Sequence, residues 1–292
     1  MTAAPSLREN AEASSDAEVV QWLQAVRRGF GAGSLSPYLG PGVLADSGDI
    51  PTSYGALADF IGARVTLPRR ARGQVWAAAQ YVESSRHRKT LEQLMTDAFA
   101  KGGNPQPLHR YLAGLSLPLI VDTWYDGATR NALRGQANWV EIQGISRAGV
   151  GEGRWFQAYD PQGAELPAEA AESAGTVLYA PHGGAAPAGN FLISDADYVE
   201  VLTEIDIQTP IPAAVKQRRS SSGWVFLGTR FHDQTLRIFA RQITKRSVGP
   251  VFAALDPDVG WTRNESKFLV ELGAHTIVAP LPHLVEALIS GE

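Results

Sequence analysis

Leu39-Gly40-Pro41-Gly42-Val43, followed by Ala45-Asp46-Ser47-Gly48 and Ile50-Pro51, has the residue order of a strand end, a glycine-rich turn and a helix start. Such a junction brings backbone N–H groups up to the phosphates of a nucleotide. Glycine lets the backbone approach closely, and a helix N-terminus favours negative charge. The motif is short, because no third glycine stands at the dinucleotide-binding spacing. Other chemistries are bounded by composition. The chain has no cysteine, which excludes disulfides, thiolate nucleophiles and metal sites built on thiolates. The histidines at 87, 109, 182, 232, 275 and 283 form neither His-x-x-x-His nor His-Glu-x-x-His, so no metal is expected. Arg69, Arg70 and Arg72 read as a solvated loop and helix start rather than a phosphate clamp. Lys216, Arg218 and Arg219 read as a solvated helix face.

The elements that must position these residues alternate. Ser15 and Glu18 have capping-box spacing, and Val19, Leu23, Val26 and Phe30 then mark one helical face. Tyr38-Leu39 ends a first strand, where Pro37 is tolerable only at the strand's start or edge. Thr52 or Ser53 caps a second helix. Residues 65–101 have helical periodicity throughout, closed by Gly102-Gly103-Asn104-Pro105. A helix over Leu108–Leu115, a buried strand over Pro118–Val121 and a helix after Asp126 follow. Trp139–Ile142, Trp155–Tyr159 and Thr176–Tyr179 read as strands, and Pro161–Gly175 as a surface loop. The last third repeats strand and helix: Trp224–Gly228, a helix capped by Asp233, Val251–Ala254, a helix with the Thr262/Glu265 capping box, His275–Val278 and Leu281–Ile289. This alternation implies an α/β fold, a Rossmann-like doubly wound parallel sheet covered on both faces. Its expected division is a disordered lead-in over 1–15, the Rossmann-like domain over 16–64 and 105–292, and a helical insert over 65–104 laid on the carboxyl ends of the strands.

Length and charge agree with that class. The 292 residues suffice for one large domain with an insert, and 44% hydrophobic with 19% charged residues is an ordinary globular balance. A net charge of −4 gives no reason to expect nucleic acid or an anionic membrane as partner. No apolar run approaches the roughly 18 residues of a membrane span, and the start lacks a signal-peptide pattern, so cytoplasm is the expected compartment.

Four segments together resemble the sirtuin-like (silent information regulator) family, closest to its zinc-free bacterial branch. Pro37-Tyr38-Leu39-Gly40-Pro41-Gly42-Val43 is similar to that branch's Pro-Phe-Leu-Gly-Ala-Gly-Val turn. Pro107-Leu108-His109, leading to Val121-Asp122-Thr123-Trp124-Tyr125-Asp126, resembles its Pro-x-His helix and Thr-Thr-Asn-Tyr-Asp strand end. His182-Gly183 with Asp197-Tyr198 resembles its catalytic His-Gly and downstream Asp-Tyr. Phe226-Leu227-Gly228-Thr229 with Asp233 resembles its adenosine-side loop.

The resemblance implies binding of NAD, or of ADP-ribose, and cleavage of the nicotinamide–ribose bond. It implies Gly40 and Gly42 under the pyrophosphate, Asp126 organising the nicotinamide pocket and His182 as general base. Gly228 and Thr229 would border the adenosine half, with Arg230 beside them. Trp124, at the carboxyl end of a central strand, is read as filling the cofactor pocket; the bland readings stand next to these: His182 as a loop histidine, Asp126 as a helix cap, Trp124 as core, and Arg230 as a partner of Asp233 or of a phosphate. Several positions depart from the family. Trp124 stands where the catalytic asparagine is expected, and an indole has one donor and no acceptor. Pro41 removes a turn N–H, Leu44 replaces a serine, Asp49 is an extra residue, and Arg230 replaces a serine. These departures point to a nucleotide-binding protein with impaired NAD cleavage, serving as a sensor or partner-binding module. The alternative is a working NAD glycohydrolase of the bacterial defence type; a protein deacylase ranks last. A protein partner and self-association are both compatible with the composition.

Overall fold

The structure, a computed structural model, describes residues 13–44, 50–146, 154–204 and 210–291. Residues 1–12 of the expected lead-in over 1–15, and residues 45–49 with Asp49, lie outside the described residues. Among the described residues eleven strands are formed: β1 Leu35–Leu39, β2 Leu119–Asp122, β3 Trp139–Gly144, β4 Phe156–Tyr159, β5 Glu165–Leu166, β6 Thr176–Ala180, β7 Gly183–Gly184, β8 Asn190–Phe191, β9 Gly223–Leu227, β10 Val251–Leu255 and β11 His275–Val278. The described residues also form α1 Asp16–Gly31, α2 Tyr54–Arg64, α3 Val75–Arg86, α4 Arg88–Ala98, α5 Pro107–Gly114, α6 Ala128–Leu133, α7 Asp195–Glu204, α8 Ala213–Arg219, α9 Gln234–Thr244, α10 Arg263–Glu271 and α11 Leu281–Ser290.

Nine strands form one sheet in the order β11-β10-β9-β1-β2-β6-β3-β4-β5. Pairing is parallel from β11 to β3, and the β3–β4 and β4–β5 pairs are antiparallel. The fold is therefore the expected α/β Rossmann-like sheet, with an antiparallel edge. Its central strands β1, β2, β6 and β9 are buried along their whole length and mostly apolar, because both faces are covered. Alternate side chains serve opposite layers. Leu35, Leu39, Ile120, Val225 and Leu227 pack with Trp22, Val26, Leu112 and Leu284 of α1, α5 and α11. Tyr38, Val121, Trp224 and Phe226 join the larger core under α2, α3, α4, α7, α9 and α10.

Pro37 lies inside β1, not at its end. Gly40 N–H bonds Leu227 O on one side, and Leu39 O accepts from Thr123 N–H on the other. Backbone alternation therefore turns Pro37 towards β2, which pairs with β1 only from Tyr38 onwards. The missing N–H faces a stretch with no ladder to break. The expected loop Pro161–Gly175 carries β5 and a short 3₁₀ turn, Ala168–Ala171. Residues 65–104 contain helix and loop and no strand. Among the described residues, no helix is long and apolar enough to cross a membrane.

Candidate nucleotide site

The chain leaves β1 towards β2 on one side of the sheet, whereas β9 leads to β10 and β11 on the other. The β1/β9 boundary is thus the topological switch point, where open α/β sheets bind ligands beyond the strand carboxyl ends. A cleft of about 520 Å³ lies there, in the size range of small-molecule sites. Pro41, Gly42 and Thr52–Gly55 form one wall; Gly228, Thr229, Arg230 and Asp256 form the other.

The glycines are required by contact between two loops. A Cβ on Gly40 would sit 2.6 Å from Gly228 O, and one on Gly42 2.9 Å from the same atom. Gly228 has φ +63°, and a Cβ there would meet Val43 N at 2.4 Å. The close approach engages the donors of the turn. Gly40 N–H bonds Leu227 O at 3.0 Å and Gly42 N–H bonds Gly228 O at 2.9 Å. Val43 and Leu44 donate to Gly40 O and Pro41 O within the 3₁₀ turn Pro41–Val43. Proline has no N–H. From Gly40 to Leu44, then, every backbone donor already has a protein acceptor. The first turn of α2, beside the cleft, carries N–H groups with no acceptor in their own helix, one of which, Ala56 N–H, is capped by Ser53 Oγ at 3.1 Å.

Arg230 pairs with Glu265, not with Asp233. Its Nε and Nη2 reach Glu265 Oε1 and Oε2 at 2.8 and 3.0 Å, and Nη2 also bonds Gly260 O at 2.9 Å. Glu265 is 1% exposed and also accepts the Phe231 and Thr262 N–H groups. Burial pushes its carboxyl up, but Arg230 and these N–H groups outweigh it and hold the pKa below the usual glutamate value. Asp233 instead caps α9 through Thr235 N–H at 2.7 Å.

Trp124, Asp126 and His182 sit elsewhere, at the ends of β2 and β6 and outside the lining of the cleft. Trp124 is 3% exposed, and its Nε1 donates to Pro51 O at 2.9 Å. Its indole meets Tyr54 edge-on at 5.1 Å and Phe99 at 5.7 Å between ring centres. Tyr54 also contacts Trp76 at 5.1 Å, and Trp76 contacts Tyr198 at 4.9 Å. Since Tyr54 lines the cleft and Tyr198 touches His182, an aromatic wall stands between them.

His182 is 1% exposed and packs on Phe239 at 4.9 Å. Its Nδ1 is 2.7 Å from Tyr198 Oη, and its Nε2 is buried without a partner among the described residues. Burial holds the imidazole down at about 3, so it is neutral across ordinary pH. Asp126 is 4% exposed, with Oδ2 unpartnered among the described residues and 1.7 Å from where a Cβ on Gly103 would lie. Burial pushes its carboxyl up to about 7 and the neighbouring Asp122 adds to the rise, against the N–H groups of Ala128, Asp126 and Gly127. Asp122 is itself raised to about 6 by burial, with Thr129 Oγ1 and Trp124 N–H pulling it back. Among the described residues, no group of His, Asp and Glu side chains could hold a metal ion.

Sequence reasoning did not single out Tyr54, Trp76, Asp256 or Trp261. For Asp256 a signal was present: an acidic residue directly after an apolar strand in a strand–helix–strand unit. For the three aromatics there was none, since their meeting depends on tertiary packing.

Comparison with curated proteins gives no match. A family model, the SIR2-like domain, matches residues 118–277, more than half of the chain. The matched region runs from β2 to the middle of β11 and includes Trp124, Asp126, His182, Gly228 and Arg230. With the parallel sheet and the glycine-lined switch point, this match identifies the chain as a member of the SIR2-like, or sirtuin-like, family.

Proposed function

We propose that this chain binds NAD or ADP-ribose through its adenosine half and cleaves the nicotinamide–ribose bond poorly, working as a sensor or partner-binding module. The observation that carries the reading is the wall of Tyr54, Trp76 and Trp124 between the cleft and His182. The cleft fits the adenosine half: it has the volume, the close-packed glycines and the helix N-terminus of α2. The nicotinamide half does not fit. The position of the family's catalytic amide is filled by a buried indole whose one donor is engaged. In this reading the first turn of α2, rather than Gly40 and Gly42, holds phosphate, and the glycines keep the two loops together. Residues 65–104 act as a helical insert whose Trp76 and Phe99 complete the wall.

One observation favours a second reading, an active NAD glycohydrolase. His182 Nε2 and Asp126 Oδ2 are buried and unpartnered, which in native proteins is often a mark of catalytic groups. Calorimetric titration with ADP-ribose, NAD and nicotinamide, with chromatography of the products, separates the two. The primary reading expects ADP-ribose and NAD to bind alike, nicotinamide not to bind, and no turnover. Rapid nicotinamide release, abolished by His182→Ala, would establish the glycohydrolase instead.

A further inference from the structure

Helix α11 carries two apolar stripes. Leu281, Leu284 and Leu288 pack into the core layer shared with α1 and α5. Pro282, Val285 and Ile289, spaced i, i+3 and i+7, form a second stripe further round the helix. A stripe of this kind ordinarily meets another element. Here it lines a cavity of about 440 Å³, bounded on its other sides by Gly42, Val43 and Leu44 and by the start of α5. Ile289 is 40% exposed, so the cavity opens to water past its side chain. The volume lies in the range of small-molecule sites. Gly42 and Leu281 line both this cavity and the switch-point cleft, so the two stand back to back.

The wall offers a ligand little to hydrogen-bond. Gly42, Val43 and Leu44 donate their N–H groups to Gly228 O, Gly40 O and Pro41 O. Pro107 and Pro282, also in the wall, have no N–H to give. Gln106 N–H bonds His109 Nδ1 at 3.0 Å, and Gln106 Nε2 bonds Asn104 O at 3.1 Å. No lysine, arginine or histidine is among the described residues that line the cavity. Its one charged group is Glu286, a turn beyond Pro282, which has no hydrogen bond or ion pair among the described residues. A solvated carboxylate beside an apolar hollow selects by charge. It attracts a cation and repels an anion, while the hollow takes the apolar body.

We propose that this cavity is a second ligand site and that it takes an apolar amine, its body against Val43, Leu108, Val285 and Ile289 and its ammonium group at Glu286. The proposal goes beyond the nucleotide reading and does not depend on it.

The test is calorimetric titration of the full chain, at neutral pH, with probes that share a body and differ in charge: 1-naphthylmethylamine, 1-naphthylmethanol and 1-naphthoate. Each has about a dozen non-hydrogen atoms, so the amine should bind with a Kd of roughly 0.1–1 mM. The amine should bind tightest and the carboxylate weakest. Glu286→Gln, at an exposed site, should weaken the amine by roughly two- to fivefold and leave the alcohol unchanged. Val285→Trp fills the cavity and should weaken every probe by roughly tenfold or more. Val285→Phe fills it less, and circular dichroism shows which variants fold. Neither Val285 nor Glu286 lines the nucleotide cleft, so these effects report on the cavity alone. No binding of the amine by the unmodified protein overturns the proposal. So does a carboxylate that binds as tightly as the amine, an amine affinity unchanged in Glu286→Gln, or probe binding that survives the filling variants in folded protein.

Discussion

Replacing Trp124 tests whether the wall is structural core or a dispensable plug. Two variants separate its parts. Trp124→Phe keeps an aromatic ring against Tyr54 and Phe99 but leaves the Pro51 carbonyl without its 2.9 Å donor. An unsatisfied buried acceptor costs about 1–3 kcal/mol. Trp124→Asn removes nearly the whole buried indole, and large-to-small core changes of this size cost about 3–5 kcal/mol. For a chain of this length each kcal/mol lowers the melting temperature by roughly 2–4 °C, so the Asn variant should melt roughly 6–20 °C lower. Urea unfolding followed by circular dichroism gives both values. At a temperature where the Asn variant is folded, NAD titration gives the functional half. A regained amide hydrogen bond is worth about 1–3 kcal/mol, or roughly 5- to 150-fold in affinity. A loss of stability below about 1 kcal/mol for Trp124→Asn would refute the description of Trp124 as core. A folded Asn variant with no gain in NAD affinity would refute the idea that the indole alone blocks the nicotinamide half.

Asp126→Asn should stabilise the protein at alkaline pH. The folded-state carboxyl, pushed up to about 7, lies above the usual aspartate value of 3.8, so between them the folded form holds a proton that the unfolded form releases. That contribution to stability therefore falls as pH rises through this window, and the Asn variant escapes the fall. Its advantage should grow by about 2–4 kcal/mol between about pH 4 and about pH 8, measured by urea melts at each end. Gly228→Ala should cost about 1–3 kcal/mol, because φ is +63° and the new methyl meets Val43 N, while Gly31→Ala, with open space around it, should be neutral or stabilising in the same thermal assay. Arg88→Met should cost about 3–5 kcal/mol in chemical denaturation, since it unpairs Asp197, whose side chain is 3% exposed and takes two bonds of 3.0 and 2.8 Å from Arg88.

What the sequence reveals is mostly local. Ser15 with Glu18, Thr262 with Glu265, and Asp233 all cap the expected helices, because a cap needs only residues within one turn. Strands β1, β9 and β10 are legible as apolar runs, since a doubly covered sheet makes them so. Long-range pairings are not. Asp233 is the acid nearest to Arg230 in sequence, yet the guanidinium bonds Glu265 at the start of α10. Lys216-Gln217-Arg218-Arg219 has the composition of a solvated face, but Arg219 is buried and donates to Gln242 O and Ile243 O at the end of α9. The phosphate-turn motif is readable at Gly40 and Gly42, whereas the engagement of its donors by the β9 loop depends on a neighbour far along the chain.

The seam between β1 and β9 also sets an order in time. Strand β1 pairs with β2 only through Tyr38 and Leu39, but with β9 along its whole length, from Leu35 opposite Gly223 to Leu39 opposite Leu227. On a ribosome, residues 40–222 must be added before that edge can be covered. At about 5–20 residues per second this takes roughly 10–40 s, during which β1 presents an open backbone edge in a growing chain. The cleft walls from Gly228 to Trp261 arrive later still. The cleft is therefore complete only once synthesis has passed Trp261, and under the proposed function a nucleotide would meet the assembled sheet rather than guide the nascent one.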